Sequence, residues 1–107
     1  MKTLKFRKNL AEEILAGRKT ATWRLFDDKD LQIGDQVELL VWETKEKFAT
    51  AEIIALKEKK LQDIKEEDFI GHEKFASRED MLENYQSFYG DKVNWETPIK
   101  MLDFKII

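Results

Sequence analysis

The chain has no cysteine, one proline, one histidine and four glycines among 107 residues. The absence of cysteine excludes disulfides, thiolate metal sites and thiol nucleophiles. His72, the lone histidine, has no second imidazole or thiolate to complete a ligand cluster, so no metal is expected, although Asp68 and Glu73 lie close in sequence. A single proline, Pro98, in a chain that is 38% charged argues against a proline-rich disordered tail. Long apolar runs are also missing. Residues 1–17, MKTLKFRKNLAEEILAG, carry a charge every few positions, so neither a signal peptide nor a membrane partner is expected and a cytoplasmic location is.

What is present suits one domain spanning residues 1–107, since 42% of the chain is apolar, enough for one modest core. The net charge of -3 conceals an uneven distribution. Residues 1–24 hold seven basic residues against two acids, a balance of +5, which leaves -8 for the rest. Local field attracts a partner more than total charge does, so an anionic or electron-rich ligand is expected at the N-terminal third, a plain solvated face being the alternative.

Periodicity then divides the chain. Residues 1–6 alternate with Leu4 and Phe6 on one side and read as a strand. Asn9 is the expected N-cap of a short helix, with Glu12 three places on as in a capping box, Leu10, Ile14 and Leu15 on the apolar face, and Gly17 at its end. KTATWR, residues 19–24, suits a strand, and residues 25–36 a loop closing on a Gly34-Asp35 turn. Val37, Leu39 and Val41 alternate along the next strand. Residues 47–60 give a longer one with Ala49, Ala51, Ile53 and Ala55 on one side, as a crowded barrel interior requires. The connection between these two is too short for a parallel crossover and predicts an antiparallel hairpin. Residues 61–69 offer one or two helical turns packing Leu61, Ile64 and Phe69. Ser77, with Asp80 three residues on, caps a second helix whose Met81, Leu82, Tyr85, Phe88 and Tyr89 read as core, and Gly90 stops it. Leu102, Phe104 and Ile106 share one side of a last strand. The sum is an α+β fold, a small mixed β-barrel flanked by two or three short helices.

The chemistry concentrates at AGRKTATWRL, residues 16–25, where Arg18, Lys19 and Arg24 surround Thr20 and Thr22. Strand parity sends Thr20, Thr22 and Arg24 to one face, lining a solvent-open groove, and turns Ala21 and Trp23 inward. Lys19 reaches the Thr22 hydroxyl only from the turn after Gly17, with its stem curled round. Desolvation and the charges of Arg18 and Arg24 favour its neutral form, a base for a hydroxyl nucleophile in acyl transfer. Guanidiniums suit phosphate or the acceptor edge of a base. The two threonines are equally ordinary strand formers.

ILAGRKTATWR followed by LQIGDQVEL, with DFIGHEKF and the closing strand, resembles the ASCH domain, whose signature is a G-[KR]-K-T segment, a downstream arginine and a G-D turn before a strand. The resemblance covers residues 1–107 and implies a PUA-like fold that binds RNA or a nucleoside under the GRKT turn. A branch of small single-domain ASCH proteins removes the acetyl group from the exocyclic amine of acetylcytidine with a Lys, a Thr three residues on and a Glu before the second helix. By position this implies Lys19 as base, Thr22 as nucleophile and Glu73 as proton donor, with His72 or Glu67 as alternatives for the third place, Arg24 on the oxyanion or the cytosine carbonyl, and no cofactor.

The ligand-binding candidates are Arg18, Thr20, Arg24 and Trp95. Trp95, in the VNWETP loop, either stacks a base or packs as a lid, while Trp23 and Trp42 are expected mostly in the core. Three functions stay open: binding of RNA or a modified pyrimidine nucleoside, amidohydrolysis of acetylcytidine, and a non-catalytic interaction domain. The acidic balance outside residues 1–24 argues against long nonspecific RNA contacts.

Overall fold

The computed structural model describes residues 1–27 and 29–107; Asp28, inside the loop expected over residues 25–36, lies outside the described residues. Along the described chain run β1 (Lys2–Phe6), α1 (Lys8–Leu15), β2 (Ala21–Arg24), β3 (Gln36–Val41), β4 (Lys47–Lys60), two 3₁₀ turns (Leu61–Asp63 and Glu66–Phe69), α2 (Arg78–Tyr89) and β5 (Pro98–Ile106). The strands form one sheet in the order β1-β3-β4-β5-β2, curled into a half-barrel with β1 and β2 as its two edges. β1 lies parallel to β3, and the other pairs are antiparallel, the expected β3–β4 hairpin among them. This is the expected α+β fold of mixed strands, with the barrel open on one side.

One register shift rearranges the longest strand. Ile53 pairs with Phe104, but Ala55 pairs with Asp103 and Leu56 with Leu102, so Ile54 is the extra residue of a bulge. Side-chain parity inverts there. Leu56, rather than the expected Ala55, continues the face begun by Ala51 and Ile53 and packs on the core.

The helix starts also differ from expectation at one end. α1 begins at Lys8 with Arg7 as its N-cap and without a side-chain cap, because the chain turns into helix directly from β1. The Lys8 N–H is satisfied by Glu43 Oε1 at 3.0 Å, so the Asn9–Glu12 capping box does not form. Ala11 and Ile14 face the sheet, and Leu15, about 100° further round the helix, is exposed. α2 starts as expected, the Asp80 N–H donating to Ser77 Oγ at 3.1 Å.

Two apolar clusters hold the sheet from its two faces. Leu4, Phe6, Val37, Leu39, Ile53, Leu102 and Phe104 pack with Ile14 of α1. Trp23, Leu61, Ile64, Ile99 and Met101 pack with Met81 and Tyr85 of α2. β5 feeds both because alternate residues point to opposite faces, while Ile106, at the fraying end of its expected face, is exposed. Asp68 pins the second 3₁₀ turn to β4, accepting from Lys57, Lys59 and the Lys65 N–H. Burial of that carboxyl opposes ionisation, but the two lysines outweigh it and hold the group at about 2. Among the described residues no helix is long and apolar enough to cross a membrane.

Candidate functional site

A cleft of about 620 Å³ opens where the edges β1 and β2 fail to meet, walled by Phe6, by Thr22, Trp23 and Arg24, and by Tyr85, Phe88 and Tyr89 of α2. Its polar end is built by two turns. Gly17, at φ +81°, ends α1, and the Glu13 carbonyl accepts the N–H groups of both Arg18 and Lys19. Lys19 therefore sits in the turn rather than on the strand, which starts at Ala21, and its stem runs inward. The second turn, residues 71–73, is tied to the first because the Gly71 carbonyl accepts the N–H groups of Thr20 (2.9 Å) and Ala21 (3.1 Å). Glycine is required there: φ is +76°, and a Cβ would stand 2.2 Å from Thr20 Oγ1.

These turns bring Lys19 to Glu73. The Lys19 side chain is only 5% exposed, and its Nζ donates to Glu73 Oε1 at 2.8 Å and to the Ala21 carbonyl at 2.7 Å. Burial lowers the ammonium's pKa and nearby Arg24 adds to that, while Glu73 pulls the other way. Glu73 Oε1 also lies 2.8 Å from His72 Nε2, whose ring places Nδ1 2.8 Å from the Glu73 carbonyl and stacks on Trp23 at 4.0 Å. Burial opposes ionisation of Glu73, but its hydrogen bond to His72 and the charges of His72 and Lys19 prevail and hold it at about 2. At neutral pH it rests as a carboxylate.

Arg24 reaches across the open side of the half-barrel. Its Nε donates to Thr22 Oγ1 at 3.2 Å and its Nη2 to the Lys5 carbonyl at 3.1 Å, while its guanidinium lies 4.9 Å from the Phe6 ring centroid. Thr22 thus accepts from a cation and keeps its own hydroxyl proton to give. Burial raises the Tyr85 phenol well above its ordinary value, so it stays a hydrogen-bond donor in the wall.

Solved structures share this shape. A protein of Enterococcus faecalis described by the family designation DUF984 superposes with a TM-score of 0.81 at 13% identity, over 100% of this chain and 76% of that one. An ASCH domain from Lactobacillus crispatus gives 0.72 at 16% identity, over 98% and 79%. ASCH from Zymomonas mobilis gives 0.68 at 10% identity, over 96% and 65%. The chain has the ASCH fold. No family model and no curated protein matches its sequence, and at these identities the likeness is one of architecture.

Within this ASCH fold, Lys19, Thr22, Arg24 and Glu73 line one cleft. His72 lines it as well, and the remaining candidates stand elsewhere. Arg18 is exposed and paired with Glu13, so it adds nothing to the lowering of Lys19. Thr20 packs against Gly71 outside the cleft, because the strand begins one residue later. Trp95 is half-buried against the second apolar cluster, with the Arg78 guanidinium 5.3 Å from its ring, which is the packed alternative and not a stacking position. Glu67 is exposed in its 3₁₀ turn, and His72 orients Glu73 rather than replacing it.

Three expectations are corrected by what covers the edge strand. Thr22 does not line a solvent-open groove: it is 4% exposed, with the Arg24 Nε on its oxygen, and Trp23 on the opposite face is equally buried in the second apolar cluster. Trp42, expected in the core, is 43% exposed at the cleft mouth, just beyond the end of β3. The α2 stripe is only partly core, since Tyr85, Phe88 and Tyr89 form the cleft wall; the same helical spacing serves both uses, so periodicity carried no signal for it. Lys5 and Arg7, also at the mouth, were signalled only by the basic balance of residues 1–24.

Proposed function

We propose that the cleft takes one modified pyrimidine nucleoside and removes an acyl group from its exocyclic amine. The substrate class comes from the resemblance to the acetylcytidine branch of ASCH proteins. The observation that carries the chemistry is the convergence of a buried Lys19 paired with the partly exposed Glu73 and a Thr22 oxygen touched by Arg24 in one cavity of single-ligand size.

The groups support a balanced sequence. Glu73 takes a proton from the Lys19 ammonium along their 2.8 Å contact, leaving a neutral amine. As Thr22 Oγ attacks the acyl carbon, its proton passes to Lys19 and the carbonyl electron pair moves to oxygen, where Arg24 donates. The tetrahedral centre then collapses, the C–N bond breaks, and the amine leaves with the proton held by Glu73. Water cleaves the Thr22 ester by the same relay. Glu73 is thus a proton donor only after it has been an acceptor, because it rests ionised.

Binding of RNA or a modified nucleoside without turnover is the second reading. One observation favours it: the Lys19 ammonium is already satisfied by Glu73 and the Ala21 carbonyl, as a purely structural or ligand-holding cation would be. Incubation of the protein with acetylcytidine, following cytidine release beside Lys19→Ala, Thr22→Val and Glu73→Ala, separates the two. Turnover in the wild type that is lost in all three variants supports hydrolysis. A wild type that binds but releases no cytidine leaves binding as the function.

A further inference from the structure

Several cations on this surface have an acid at hand: Lys2 has Asp35, Arg18 has Glu13, Lys57 and Lys59 share Asp68, and Lys100 has Asp27. At the mouth of the cleft, lined by Lys5, Arg7 and Trp42, with Lys45 beside them, cations that lack one gather on a single side chain. Among the described residues Lys5, Arg7 and Lys45 make no ion pair with a carboxylate, in a chain that has 22 acids against 19 bases. The acid beside them, Glu43, is engaged by the Lys8 N–H at the start of α1.

The three cations surround one indole. Lys5 Nζ, the Arg7 guanidinium and Lys45 Nζ lie 5.5, 5.3 and 3.8 Å from the ring centroid of Trp42. The Arg7 guanidinium is also 5.9 Å from the ring of Phe88, so it stands between two exposed aromatics. Contacts of this kind hold a guanidinium in place while leaving its N–H donors unspent. A fixed guanidinium that no carboxylate neutralises is the arrangement that recognises phosphate oxygens. Lys5 also ties this rim to the reactive end, because its carbonyl accepts from the Arg24 guanidinium that touches Thr22.

We propose that the rim formed by Lys5, Arg7, Trp42 and Lys45 binds the phosphate of a nucleotide whose base enters the cleft, so that the ligand is a phosphorylated nucleotide rather than a free nucleoside. This rests on the nucleoside reading of the cleft. The phosphate is either the monoester of a single nucleotide or the diester of a short strand, which present the same anionic oxygens.

The test is calorimetric titration of the wild type, Arg7→Gln and Lys5→Gln with cytidine, cytidine 5′-monophosphate and a short cytidine-containing oligoribonucleotide, each at low and high salt. The wild type is expected to bind the monophosphate about tenfold more tightly than cytidine, and the advantage to shrink to about twofold or less in either variant and at high salt. An oligonucleotide tighter than the monophosphate, with a steeper salt dependence, assigns the rim to a diester; equal affinities assign it to a monoester. Equal affinities of cytidine and its monophosphate in the wild type, or no binding of either, overturn the proposal. Because binding is measured without turnover, a phosphate preference in a protein that fails to hydrolyse acetylcytidine sinks only the catalytic reading, and hydrolysis without a phosphate preference sinks only this one.

Discussion

Glu73→Gln removes one negative charge from the cleft and keeps the shape of the side chain. Lys19, with 5% of its side chain exposed, then retains a positive charge with no carboxylate beside it. Removing one partner of a fully buried pair costs about 3–5 kcal/mol. Glu73 is 32% exposed, so solvent takes up part of the loss, and about 2 kcal/mol is expected. The acid titration gives an independent figure. Between an ordinary 4.5 and about 2, at about 1.4 kcal/mol per pH unit, the carboxylate contributes about 3 kcal/mol before the same allowance for solvent. Its folded pKa is depressed, so this contribution is complete above about pH 4.5 and is lost as the pH falls toward about 2. Urea unfolding of the two proteins at pH 7, and again at intervals down to pH 2.5, measures both quantities. The variant should unfold at lower urea with an unchanged slope m, melt roughly 8 °C lower, and lose less stability on acidification than the wild type. Some acid sensitivity should remain, because Asp68 titrates in the same window. A variant within about 0.5 kcal/mol of the wild type at pH 7, with an unaltered acid profile, would refute the argument that Glu73 holds Lys19.

Thr22→Val keeps the volume of a buried position and removes only the hydroxyl; acetylcytidine turnover should fall by at least about 10³-fold while urea unfolding shifts by no more than about 1.5 kcal/mol. Gly71→Ala drives a Cβ to 2.2 Å from Thr20 Oγ1 at a φ of +76° and should cost about 2–3 kcal/mol. Adding Thr20→Ala should recover part of that loss in the same unfolding assay, and an uncorrected double variant would mean that the backbone angle alone is responsible. Asp68→Ala strips the acceptor shared by Lys57, Lys59 and the Lys65 N–H, and thermal melting should register a loss of about 2–3 kcal/mol without a change in ligand affinity, since that turn stands outside the cleft.

Local signals carried the fold a long way. Gly17, Gly34, Gly71 and Gly90 all take positive φ, and Ser77 caps α2 through its own hydroxyl; these are decided within a few residues, so they were legible where the expectations used them. The Ile54 bulge was not, because an extra residue in a strand shows only against its partner, and Asp103 is 48 positions away from Ala55. The same distinction separates the site residues. That Lys19 and Thr22 share one cleft was legible because a turn and a strand lie side by side in the sequence, whereas the burial of β2 depends on α2 and the turn at 71–73, which are distant in the sequence. Trp42 stands exposed where cover was expected, and Trp95 takes the packed one of its two expected places, for that reason: hydrophobicity names a residue that seeks cover, and the tertiary arrangement decides which one finds it.

β1 and β2 are the rims of a ring of strands that stops before it closes, and Arg24 spans the gap between them, with its Nη2 on the Lys5 carbonyl. A small closed ring fills its middle with side chains and leaves no hollow. The hollow here is the missing closure itself, and one guanidinium acts as the strut that sets its width. The other nitrogen of that strut rests on the Thr22 oxygen, so the width of the aperture and the placement of that oxygen are fixed by a single rigid group. Lysine, with one nitrogen on a flexible stem, cannot brace both ends at once, and a gauge of that kind would be lost by even so small an exchange.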